Sequence, residues 1–113
     1  DRRRLADESA NIVAWARVGS GGGIAANHFG VLSCSTYSQG QYDILLDVNM
    51  ASSATLIPVA SVDLFGMAAP TNAAQARLIY VERTTDPNRF VVRTTTGNYV
   101  PTNTAFNFIV TGR

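Results

Sequence analysis

The ten residues QYDILLDVNM, 41 to 50, constrain this chain more than any other stretch. Tyr42, Ile44, Leu46, Val48 and Met50 fall on one side of an extended backbone. Gln41, Asp43, Asp47 and Asn49 fall on the other, interrupted only by Leu45. Successive side chains of a strand point to opposite faces, so this pattern predicts a strand with one wet face. AFNFIVT, 105 to 111, repeats it with Phe106, Phe108 and Val110 inward. RFVVRTT, 89 to 95, sets Phe90 and Val92 against Arg89, Val91 and Arg93, and IVAWARV, 12 to 18, alternates as well.

Two denser segments, LIPVASVDLF (56 to 65) and ARLIYVER (76 to 83), read as central strands. Pro58 requires that its strand begin there or be open on one edge, because proline has no N–H to give to a ladder. The joints carry turn chemistry: Gly40 after Ser38-Gln39, Pro87 after Asp86, and Gly97-Asn98 after Thr96. The arms 76–84 and 89–95 therefore form a hairpin. AAPTNAAQA, 68 to 76, reads as a loop with room for a helical turn. Six to eight short strands without a long helix predict an all-β fold, an antiparallel β-sandwich or jelly roll.

The chain has 113 residues, one ordinary domain, and a 46% hydrophobic share is enough for a core. Residues 1–11 form a charged arm or short helix, the end of a preceding segment, and 12–113 form the single sandwich domain. Asp1-Arg2-Arg3-Arg4 reads as a cut within a longer chain or a processed end. The charged share is 15%, against about 25% in ordinary usage. Thr, Asn, Ser, Gly and Ala replace charge, which suits a surface buried against copies of itself. A net charge of +1 gives no electrostatic case for nucleic acid or a membrane as partner. No apolar run approaches the roughly 20 residues that span a bilayer as a helix. The single Cys34 excludes an internal disulfide and a Cys-based metal site.

The chemical signals are weak one by one. Gly21, Gly23 and Ala26 match the G-x-G-x-x-A spacing of a dinucleotide-binding turn, which needs a helix next. Only IAANHF separates Gly23 from Gly30 before VLSCSTY starts another strand. The glycines therefore read as a mobile hairpin connection, and no cofactor is expected. His28 and Cys34 have no orienting carboxylate beside them, so no catalytic residue is assigned, and Cys34 reads as a buried inert thiol. Asp43 and Asp47 lie about 13 Å apart on one strand, too far to share a metal. Arg77, Arg83, Arg89 and Arg93 line the hairpin. Arg77 and Arg93 read as subunit-contact residues together with Trp15, on the first strand. Tyr37, Asn98 and Tyr99 near turns, with Arg89, read as contacts for a receptor or glycan.

VAWARV, a Gly-rich turn, SQGQYDILLDV, RFVVRTTTGN and the closing AFNFIVTG together resemble the C-terminal modules of tailed-phage fibre and related virion appendage proteins. The resemblance spans most of residues 12 to 112. It implies a non-enzymatic fibre-tip domain in a virion, assembled as a homotrimer, joined to other virion proteins by its N-terminal arm and binding a host-surface polysaccharide through loops. The loops near 19–28, 68–75, 84–89 and 96–104 are the expected display sites. Two other roles fit the same residues: a capsid-decoration or tail-assembly part, and a bacterial carbohydrate-binding module.

Overall fold

The computed structural model describes residues 11–47, 56–64 and 66–112. The chain is all-β: seven antiparallel strands form two sheets, and no helix occurs among the described residues. The strands are β1 (Asn11–Val18), β2 (Val31–Ser38), β3 (Gln41–Leu46), β4 (Ile57–Val62), β5 (Arg77–Arg83), β6 (Arg89–Thr96) and β7 (Phe106–Gly112). One sheet has the order β1-β7-β4, the other β2-β3-β6-β5. The architecture is a β-sandwich of three strands over four. The charged arm proposed for residues 1–11 lies almost wholly outside the described residues.

Period-2 patterning places the core between the sheets. Ala14, Ala16 and Val18 from β1 and Phe106, Phe108 and Val110 from β7 face Tyr42, Ile44 and Leu46 from β3 and Phe90 and Val92 from β6. Two aromatic contacts cross the gap edge to face: Tyr42 on Phe106 at 4.9 Å and Phe90 on Phe108 at 5.3 Å between ring centres. Such pairs contribute roughly 0.5–1.5 kcal/mol beyond the apolar area that they bury. The small Ala14 and Ala16 leave room for these rings.

The hairpins form where the turn residues require them. β2 turns into β3 through Gln39 and Gly40, and β5 pairs with β6 from Arg77–Thr96 to Arg83–Phe90. In the second turn, Thr84 Oγ1 and Asp86 cap the backbone of Asp86 and Asn88.

Three local readings need correction. β4 and β5 are edge strands, not central ones. Their apolar density does not come from burial on both faces, because Ile57 and Val59 are 58% and 62% exposed. Pro58 sits on an edge strand, where a missing N–H is tolerated. Second, Val91 is buried although it shares the polar side of β6. In register it lies between Asp43 of β3 and Glu82 of β5, on an inner strand of the sheet. Third, β1 does not alternate without interruption. Ile12 pairs with Thr111 and Ala14 with Val110, so Val13 is an extra residue, a β-bulge. The bulge turns Ile12 outward while Ala14, Ala16 and Val18 stay inward.

The segment 68–76 holds one turn rather than a helix. The Asn72 carbonyl accepts from the amides of Gln75 and Ala76, and the Gln75 side chain accepts from Thr71.

Candidate functional site

Antiparallel pairing gathers the connections 19–23, 39–40, 66–76 and 97–105 at one end of the sandwich. Tyr42 ties this end together. Its hydroxyl donates to the Ser20 carbonyl at 2.7 Å and accepts from the Thr104 amide at 3.0 Å. Asn103 Oδ1 accepts from the Gly40 amide at 2.8 Å, which fixes the 97–105 loop on the β2–β3 turn. Gly97 donates to the Ala73 carbonyl at 2.9 Å, so the same loop also rests on residues 73–76. A Cβ at Gly97 would meet that carbonyl oxygen at 2.8 Å, so this close approach needs glycine.

Tyr99 stands out on this end. Its φ is 65°, the one positive value at a non-glycine among the described residues, and its side chain is 72% exposed. The left-handed region is uncommon for a bulky side chain and costs roughly 1 kcal/mol or more. Thr96 enforces it: its carbonyl accepts from the Tyr99 amide at 3.0 Å, and its amide donates to the Val100 carbonyl at 2.9 Å. Thr96 Oγ1 also accepts from the Asn98 amide at 3.2 Å and the Val100 amide at 3.3 Å. The turn thus holds an aromatic ring out into solvent beside Asn98 and Val100.

The proposed glycan contacts divide between the two ends. Asn98 and Tyr99 are neighbours on one loop, and Tyr37, also exposed, lies near the end of the edge strand β2 on the same side of the molecule. Arg89 is at the opposite end with the 84–88 turn, and its guanidinium donates to Asp43 Oδ2 at 3.1 Å. Of the proposed display loops, 68–75 and 96–104 sit at the loop-rich end and 19–28 starts there, whereas 84–89 faces away.

The proposed interface residues do not share a surface. Trp15 lies on the outer face of β1-β7-β4. Arg93 pairs with Glu82 at 2.7 Å on β6 of the other sheet. Arg77 donates to the carbonyls of Ala74, Gln75 and Ala76 and so closes its own loop.

The glycine-rich stretch makes a tight turn in which the Gly19 amide donates to Gly23 and the Gly22 amide to Gly19. Ile24 then pairs with Val18, and Phe29 with Trp15, so residues 24–29 run back along β1 and no helix follows the glycines. His28 is exposed and its Nδ1 lies 3.0 Å from the Ala25 carbonyl oxygen. The Cys34 thiol packs against the core; burial first, and the nearby Asp43 second, push its pKa up to about 11. It stays protonated at neutral pH and is a poor nucleophile.

Sequence reasoning did not find the outer face of β1-β7-β4. Register sets Phe29, Trp15, Ile109 and Val59 in one row and Ile12, Thr111 and Ile57 in the next. All of the large apolar members of both rows are exposed. Beside Trp15, a groove of about 530 Å³ opens between residues 25–27 and Arg17, Asn107 and Ile109. The signal was present in IPVASV, where apolar residues occupy both faces, but it reads equally as a buried strand.

Fold and surface together define a β-sandwich with one apolar sheet face and one loop-rich end. The chain matches no protein-family profile, no curated protein and no solved structure.

Proposed function

We propose that this chain is a non-enzymatic attachment module of a virion appendage, a fibre-tip domain that works as a homotrimer and presents its loop-rich end to a host-surface polysaccharide. The observation that carries the reading is Tyr99. A chain that spends conformational energy to hold a large ring in water gains nothing in stability by it, and such strain gathers at binding sites. The ring offers a flat apolar face to a sugar, and the Asn98 amide beside it offers both a donor and an acceptor.

Purified protein applied to an array of bacterial surface polysaccharides tests the idea. The wild type retains at least one polysaccharide, and Tyr99→Gly and Tyr99→Ala lose it by tenfold or more while remaining folded. Retention of no polysaccharide, or unchanged binding by both variants, overturns it. Location in a virion has its own check: antibody against the chain labels the appendages of intact particles in electron micrographs.

A further inference from the structure

We infer that the outer face of β1-β7-β4 is the surface on which copies of this chain assemble. The inference deepens the proposed oligomer by naming its contact face, and it does not depend on any polysaccharide being bound.

Ile12, Trp15, Phe29, Ile57, Val59 and Ile109 are each about half exposed on adjacent rows of one sheet. Six side chains of this bulk leave on the order of 500 Å² of apolar surface open, the upper end of what a soluble monomer shows. A stable contact covers about 800 Å² per partner, of which the core is the apolar part. The patch has the area of such a core.

In a symmetric assembly a residue near the axis meets its own copy, so a charge there repels itself. The two apolar rows contain no charged residue. The next row, Arg17, Asn107 and Ser61, carries the first charge, and Arg17 is neutralised by Asp63 at 3.4 Å. The face is therefore compatible with itself. The arm 1–10, DRRRLADESA, is mostly charged or small and offers little to such a surface.

Residues 24–29 already pair along the free side of β1, and Pro58 interrupts the donors of β4. Strand addition is thus disfavoured at both edges of this sheet, which leaves face-to-face packing. The groove beside Trp15 gives a neighbour's side chain a socket at the margin of the patch.

Trp15 is the single tryptophan and lies within the row, so it reports the contact directly. Sedimentation and tryptophan emission are followed across micromolar concentrations for the wild type, for Val59→Asp/Ile109→Asp and for Leu32→Asp. Leu32 is 60% exposed on the other sheet and serves as an equally apolar control. The wild type sediments as two or more chains, and its emission shifts to the blue as concentration rises. The double variant associates at least tenfold more weakly, keeps a strand-type circular dichroism spectrum and loses the shift, whereas Leu32→Asp behaves as wild type. A wild type that remains a single chain throughout overturns the inference, whatever its emission. So does a double variant that assembles normally, or a Leu32→Asp variant that is equally impaired. A dimer in place of a trimer keeps this face and overturns only the stoichiometry of the proposed fibre tip. Loss of polysaccharide binding with assembly intact separates the two ideas in the other direction.

Discussion

The Tyr42 hydroxyl accepts a 3.0 Å hydrogen bond from the Thr104 amide, 62 residues further along the chain. Both residues are buried, and the same hydroxyl donates to the Ser20 carbonyl. One phenol therefore joins the β1–β2 connection to the β6–β7 connection while its ring packs on Phe106.

Tyr42→Phe keeps that ring contact and removes the bridge. It leaves the Thr104 amide without its acceptor, and an unsatisfied buried donor costs about 1–3 kcal/mol. The expected result is a loss of stability in that range in urea, with the m-value unchanged and the spectrum of the folded state preserved. A loss below about 0.5 kcal/mol would show that the bridge is not formed in solution.

Gly40 is, with Gly30, one of two glycines whose positive φ and close backbone neighbours leave no room for a side chain. Its φ is +71°, and a Cβ would stand 2.5 Å from the Thr94 carbonyl oxygen and 2.9 Å from the Thr102 amide. Both neighbours are backbone, and the Thr94 amide is itself bonded to the Gly40 carbonyl. Gly40→Ala therefore combines left-handed strain with a steric clash and should cost about 2–4 kcal/mol. Gly21→Ala, with nothing within 4 Å of its Cβ position, is the matched control and should change the melting temperature little.

Alternation in 41–46 and 106–110 marks the two strands that carry the largest fully buried side chains, Tyr42, Ile44, Phe106 and Phe108, because a half-buried strand writes its orientation into every second residue. The β5–β6 hairpin was legible from Asp86-Pro87-Asn88 for the same local reason. What the sequence hid is non-local. The bulge at Val13 leaves no mark in IVAWARV, yet it moves Ile12 to the outside. Ile57 and Val59 look like core residues in sequence, and only the register with β7 shows that they stand outside beside Ile109 and Thr111. The sequence places Tyr99 near a turn, whereas the strain that distinguishes it is a backbone angle that no residue letter encodes.

Arg89 of β6 is tied to a carboxylate of β3. It covers Asp43, whose carboxylate is only 15% exposed and whose Oδ1 has no hydrogen-bond partner. Arg89→Ala strands that carboxylate and should cost about 1–2 kcal/mol, more than an exposed pair does. Polysaccharide retention should be unchanged, since the residue is at the end away from Tyr99. A variant of wild-type stability that loses binding would return Arg89 to the attachment surface.

Cys34 gives the fold a dependence on alkaline pH. The folded thiol titrates at about 11 against 9.0 for an ordinary one, with burial as the larger cause and Asp43 as the smaller. Between these values the unfolded chain has released the proton and the folded chain still holds it. Stability therefore falls as pH rises through this window, and the contribution is complete below pH 9. The Tyr42 phenol, also pushed up by burial, adds to the loss at the upper end of the range. Cys34→Ala removes the thiol's share, so its stability should decline less between pH 9 and 11 than that of the wild type, although the small cavity lowers it at pH 7. Thiol-reactive reagent at pH 7 should label the native protein many-fold more slowly than the urea-unfolded chain. Equal alkaline slopes for the two proteins, together with rapid native labelling, would mean that the thiol is neither buried nor held protonated by the fold.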